Sequence, residues 1–180
     1  GTASVSVDFR DSVREQNITV FLSQGRKKQF EQNRNRVARV SDIVGEFRTV
    51  LFCPEHLSMI KEGPGERRNY LDIAISQLYP VYLKSLQRYN RILKQRNRLI
   101  REGQENRRIF EETAEMWSEQ LAEEAAVISR YRYRYLKQAE GEIRTCFAEM
   151  TGEKEIPSVR YDGSSRQEPE EYEDEKRTAE

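Results

Sequence analysis

Apolar residues recur along this chain in two different periods. In residues 4–9 (SVSVDF), Val5, Val7 and Phe9 alternate with polar neighbours; in residues 17–23 (NITVFLS), Ile18, Val20 and Leu22 do the same. A period of two puts each set on one face, so both stretches predict half-buried antiparallel strands. Ser23, Gln24 and Gly25 give a turn signal between them and a weaker third strand over 27–32, around Phe30. The Asn/Arg-rich residues 32–40 predict a loop or a frayed edge strand. Ser41 is a plausible N-cap for a short helix over 42–46. Residues 48–52 (RTVLF) form a short β-rich run that stops at Cys53 and Pro54, and Pro54 suits the start of a helix over 55–61.

After a break at residues 62–65 the period becomes helical. Leu71, Ala74, Ile75 and Leu78 share one face of a helix expected from Pro64 to about Gln77. A second helix is expected over residues 80–102. There Tyr79, Leu83, Leu86, Asn90, Leu93, Asn97 and Ile100 alternate four- and three-residue steps, the spacing of a heptad seam along a partner helix. Asn90 and Asn97 fall on that seam, where polar residues fix register and lower stability. A third helix is expected from about Arg108 to Met150. Phe110, Ala114, Trp117, Leu121, Ala125, Ile128, Tyr131, Tyr135, Ala139, Ile143, Cys146 and Met150 advance along it by threes and fours. At about 1.5 Å per residue it would reach roughly 60 Å, too long for one small globule to cover. The preceding helix is its expected antiparallel neighbour. Residues 158–161 predict a last strand, and the polar, acidic stretch from Gly163 is expected to be disordered. The fold class is α+β, mainly α: a long antiparallel helical hairpin, an additional helix, and a small antiparallel sheet at one end.

Composition fits long, two-sided helices, with 34% of the 180 residues charged and 36% hydrophobic. Net charge is zero, but it is arranged in blocks. The helix over 80–102 carries Lys84, Arg88, Arg91, Lys94, Arg96, Arg98 and Arg101, with no acid before Glu102. The next block carries Glu111, Glu112, Glu115, Glu119, Glu123 and Glu124 with no base among them. Cys53 and Cys146 lie far apart, which suits neither a disulfide framework nor a zinc site and points to a reducing, cytoplasmic compartment. No apolar run approaches membrane-spanning length. The chain starts without Met, directly on a strand pattern, and is expected to be a piece of something longer.

The sequence holds no phosphate-cradling glycine loop, since Gly63 and Gly65 have neither the spacing nor a following Lys-Ser/Thr. His56 is the only histidine, no second metal-ligand type clusters beside it, and no nucleophile–base arrangement can be built. Catalysis by this chain alone is not expected. Two readings of the cationic helix stay open. Lys84, Arg88, Arg91, Lys94, Arg98 and Arg101 could neutralise DNA phosphates, with Arg130, Arg132, Arg134 and Lys137 extending the surface. Alternatively, these charges complement the acidic start of the long helix. Tyr131, Tyr133 and Tyr135 resemble a base-stacking patch, but residues two apart do not share a helix face. Tyr131 and Tyr135 are therefore expected in the core and Tyr133 outside. Trp117 is expected in the core and His56 on the surface.

Four stretches carry a resemblance. VLFCPEHL (residues 50–57), GPGERRNYLD (63–72), LKQRN (93–97) and WSEQLAE (117–123) occur in the order and spacing of the middle of the RecF family. That family comprises bacterial DNA replication and repair proteins related to SMC proteins and other ABC-type ATPases. The resemblance covers residues 42–161. It implies that residues 1–53 are an incomplete part of the ATPase-head β-lobe, 54–157 a helical arm, and 158–180 a strand return with an acidic tail. It also implies that the whole protein binds ATP, magnesium and DNA, forms an ATP-dependent homodimer, docks a RecR-type mediator and acts in recombinational repair. No cofactor is expected in this fragment. Arg67, Arg68, Asp72 and Arg96 match family-motif positions. Two positions depart from the family's Ser-Pro-Glu-Asp-Leu: Cys53 stands for the Ser and His56 for the Asp. Glu55 and His56 are then the polar candidates at the junction between nucleotide head and arm. The competing function is a coiled-coil interaction module with no nucleic-acid contact.

Overall fold

The computed structural model describes residues 1–61, 63–102 and 107–163, without the side chains of Glu55, Leu57, Ser58, Glu102 and residues 107–113. The acidic tail lies outside the described residues. The chain divides into two compact units, Gly1–Pro80 and Val81–Glu180, so the expected boundary at Cys53 and Pro54 falls inside the first. The helical hairpin and the antiparallel sheet are both present.

In the first unit, β1 (Thr2–Arg10), β2 (Glu15–Ser23), β3 (Gln29–Gln32) and β4 (Asn35–Val37) form one antiparallel sheet in sequence order. The β1–β2 register pairs Val5 with Val20 and Val7 with Ile18, which collects the alternating apolar residues on one face. Phe30 extends that row to Val37. The opposite face is polar apart from Phe21, and Asn17 donates to Ser6 Oγ (2.9 Å) and to Asp8 Oδ1 (2.7 Å) across the β1–β2 pair. Residues 32–40 hold a true edge strand. Asn33 and Arg34 both have positive φ (51° and 66°), the two-residue hairpin loop whose twist matches its strands.

The expected helix over 42–46 is replaced by a single 3-10 turn, Val40–Asp42, followed by turns. Ser41 does not cap it. Arg39 holds the cap position without a side-chain bond, and Ser41 Oγ lies 3.4 Å from Asp42 Oδ1 instead. This segment lays Ile43, which is buried, and Phe47 toward the sheet, with the Phe47 ring 4.9 Å from that of Phe9. Gly45 lies at φ +94°, and a Cβ there would sit 2.6 Å from the Gln77 carbonyl oxygen. The Gln77 side chain then receives the Thr49 N–H at 2.9 Å and donates to the Thr49 carbonyl at 3.3 Å. That amide pair stands in for a strand neighbour, and residues 48–52 form no strand. A 3-10 turn (Pro54–Leu57) and the one-turn α1 (Ser58–Lys61) follow, then α2 (Pro64–Leu78) with Gly63 at its N-cap and Pro64 in its first turn.

Tyr79 breaks the helical run because Pro80 disfavours α geometry at the preceding residue. From there α3 (Pro80–Glu102) is continuous, and α4 (Arg107–Thr151) runs 45 residues without interruption. The predicted strand over 158–161 does not form; that segment joins no ladder among the described residues. Residues 152–163 run instead as a non-helical return beside α4, where Tyr161 Oη lies 3.4 Å from Ser129 Oγ. Backbone groups of a lone extended segment have no ladder to join.

Candidate nucleic-acid interface

The arm is held by a seam one position away from the expected one. Of the expected seam, Asn90, Asn97 and Ile100 are exposed, while Tyr79, Leu83, Leu86 and Leu93 are half-buried at its border. Tyr82 and Ser85 are buried, and Tyr89, Ile92, Arg96 and Leu99 are half-buried. These six also step by three and four, so the heptad period holds while its phase moves. The correction has a chemical cause. Tyr82, Ser85 and Arg96 carry polar atoms and do not register in an apolar pattern. Tyr82 is nonetheless the largest fully buried side chain among the described residues. Its hydroxyl accepts a hydrogen bond from Arg132 Nε at 3.0 Å, and its ring meets that of Tyr131 edge-on at 6.0 Å. An aromatic body with a satisfied polar tip is a stable core residue.

The same contacts set the direction of the hairpin. Tyr82 meets Tyr131 and Arg132, whereas Arg88, further up α3, meets Glu124, further back on α4, at 3.1 Å. The helices are therefore antiparallel. Asn90 and Asn97, turned away from this seam, do not select the register.

The cationic residues fall on the other side of α3. At about 100° per residue, Lys84, Arg88, Arg91, Lys94, Arg98 and Arg101 occupy an arc of roughly 140°, centred roughly 140° round the helix from the seam. All six are exposed. Lys84, Arg91 and Lys94 form no ion pair among the described residues. Arg88 does pair with Glu124; its side chain is 60% exposed, and such a pair contributes little, on the order of 0–1 kcal/mol. Arg101 donates to the Asn97 carbonyl of its own helix at 3.2 Å. Glu115, Glu119 and Glu123 are exposed on α4, and Glu124 alone of the described acids in this block is half-buried. Complementation by the acidic block is thus seen at Arg88.

The other candidates scatter. Arg96 is half-buried on the seam, so it serves packing of the arm. Arg67 donates to the Met59 carbonyl at 3.2 Å and ties α2 to α1, while Arg68 is exposed and Asp72 half-buried. His56 is exposed, with its N–H bonded to the Cys53 carbonyl at 2.9 Å. The Glu55 side chain lies outside the described atoms. Tyr131 packs on Tyr82, and Tyr133 lies under the Lys137 ammonium at 5.9 Å. Sequence reasoning missed the Tyr82–Arg132 bond; an arginine facing a tyrosine across the hairpin becomes visible only once the register is known. Among the described residues no group of His, Cys, Asp and Glu could hold a metal ion, and no helix is long and apolar enough to cross a membrane.

No family model matches the chain. Curated relatives do. It is 33% identical over 161 residues to the DNA replication and repair protein RecF of Acetivibrio thermocellus, covering 89% of this chain and 43% of that protein. It is 38% identical over 126 residues to RecF of Thermoanaerobacter sp. strain X514, covering 70% of this chain and 34% of that one. Among solved structures it is similar to one described as the recombination mediator protein RecF-ATPrS in the RecFOR pathway. There the TM-score is 0.77 at 32% identity, over 84% of this chain and 41% of that one. The chain thus spans less than half the length of these relatives.

Proposed function

Since the chain belongs to the RecF family of DNA replication and repair proteins, we propose that its α3 lays a cationic ridge along the phosphate backbone of DNA, within a longer recombination mediator that binds ATP. The observation that carries this reading is the arc of Lys84, Arg88, Arg91, Lys94, Arg98 and Arg101 on the side of α3 away from its helical seam. Cations that served the hairpin alone would line the seam, as Arg96 does, or pair with an acid of α4, as Arg88 alone of the arc is seen to do at its edge. Cations held outward repel one another and are offset best by a polyanion. The coiled-coil module without nucleic-acid contact leaves that outward ridge without a purpose.

ATP and magnesium belong in this reading to the head of the longer protein, as do ATP-dependent homodimerisation and docking of a RecR-type mediator. Residues 1–53 are part of that head's β-lobe, and 54–157 are the arm. What supports the division is the apolar surface left open in the first unit. Val50, Leu51 and Phe52 are consecutive and 94%, 75% and 79% exposed. Adjacent residues of an extended chain point to opposite faces, so a run that is apolar on both suits a strand covered on both sides. The segment leads directly to Glu55 and His56, where head passes to arm. We place there the coupling of nucleotide state to arm orientation. A full-length Glu55→Ala, His56→Ala double variant should lose ATP-dependent dimerisation or DNA binding; wild-type behaviour in both would refute the coupling.

The ridge itself is tested on this chain. Replacing Lys84, Arg91, Lys94 and Arg98 together with Ala should weaken binding to duplex DNA by roughly tenfold or more at moderate salt. Circular dichroism should show the helical content unchanged. Equal affinity for the two proteins would overturn the reading.

A further inference from the structure

A second group of cations lies in the other unit, where no motif drew attention to it. The link between β2 and β3 carries Arg26, Lys27 and Lys28, all exposed, just after the turn at Gly25 (φ +73°). The β3–β4 register pairs Phe30 with Val37. Lys28 directly precedes β3, and Arg39, also exposed, follows the bend at Ala38 just past β4. Four positively charged residues thus flank the same end of the β3–β4 hairpin. The acids of the sheet lie elsewhere: Asp8, Asp11 and Glu15 are at its opposite end, and Glu31 stands opposite Arg36. Asp42, one turn after Arg39 and bonded to its carbonyl through the backbone N–H, is exposed and forms no ion pair among the described residues. Arg26, Lys27, Lys28 and Arg39 form no ion pair among the described residues.

Charges on an edge strand often guard against pairing with a second sheet. That role does not account for these four. They lie outside the strands, beyond the ends of β3 and β4, and the edge is already blunted by Arg36 and by the three-residue length of β4. Four like charges with no ion-paired acid raise the local potential. A rod of closely spaced phosphates is the partner that lowers it, and loop cations of this kind make backbone contacts without reading bases.

We propose that Arg26, Lys27, Lys28 and Arg39 form a separate, sequence-independent contact for the nucleic-acid backbone on the sheet unit. This extends the DNA-binding reading of the arm, yet the two are separable by experiment. The full chain is titrated with a duplex oligonucleotide while backbone amides are followed by NMR, in wild type, in the four-alanine α3 variant, and in a Lys27→Ala, Lys28→Ala, Arg39→Ala variant. The expected result is a shift of amides 26–28 and 39 that persists in the α3 variant. The sheet variant should lower the log–log salt slope by roughly 0.9 for each lost phosphate contact. Should these amides stay still, or the slope stay unchanged in the sheet variant, the proposal falls, whatever the α3 variant does. Polyglutamate of matched charge is the control; shifts as large as those from DNA would fail the assignment to nucleic acid.

Discussion

Asp11 shows how far one short side chain can organise a turn. Its Oδ1 accepts the N–H groups of Val13 (2.7 Å) and Arg14 (2.8 Å), and its Oδ2 accepts Gln16 Nε2 at 2.6 Å. The Arg14 N–H first, then those of Val13 and the Gln16 amide, hold its carboxyl below the ordinary carboxylate range. The sign follows from linkage. A depressed carboxylate favours the fold while ionised, fully so above the unfolded value of about 3.9, and that support is lost as pH falls through the folded value. An NMR titration should therefore find the Asp11 midpoint below the ordinary aspartate range, and Asp11→Asn should remove the acid-dependent change at the Val13 and Arg14 amides. Gln16, 5% exposed, continues the chain of bonds to Gln32 at 3.1 Å, and Gln32 reaches Glu46 at 3.1 Å. Glycines make the complementary case. Gly45→Ala should cost roughly 1–3 kcal/mol in thermal or urea unfolding, since it adds both a strained φ and a backbone clash. Gly141→Ala, with open space around it inside α4, should raise stability by about 0.5–1 kcal/mol. None of these contacts was legible in the sequence, because each joins residues whose proximity depends on a turn geometry that no periodicity encodes.

At the scale of elements the sequence was more informative, and it failed in a specific way. β1, β2 and β3, the breaks at Pro54, Pro64 and Pro80, and the unbroken long helix were readable from alternation, helical spacing and proline. The phase of the α3 seam was not. Leu83, Leu86 and Leu93 outweighed Tyr82 and Ser85 in an apolar pattern, although the bond from Arg132 satisfies the tyrosine hydroxyl and makes it the better core residue. Two substitutions distinguish the phases. Tyr82→Ala should destabilise the hairpin by about 3–5 kcal/mol in chemical denaturation. Asn90→Leu, on the exposed side, should change stability by no more than about 0.5 kcal/mol. A large stabilisation by Asn90→Leu would restore the phase drawn from the leucines. The short strand expected over 158–161 failed for another reason: strand propensity is expressed only beside a neighbour.

For the whole molecule, the cationic block was visible as a count of residues, but its meaning rested on direction. Sequence left open whether those charges met the acids of α4 or faced outward, and the geometry turns Lys84, Arg91 and Lys94 away from the seam. The chain carries neither a phosphate-cradling loop nor a lysine positioned beside one, and phosphoryl transfer depends on both. It should show no ATP turnover above a protein-free control. The central claim is that this chain meets DNA through the outward cations of α3. Its most direct test is the salt dependence of duplex binding, measured by fluorescence anisotropy for the wild-type chain and the four-alanine α3 variant. The account predicts a linear fall of log affinity with log salt, with a slope shallower in the variant by roughly 0.9 for each phosphate contact removed. Identical slopes in the two proteins, or wild-type binding indifferent to salt, would contradict it.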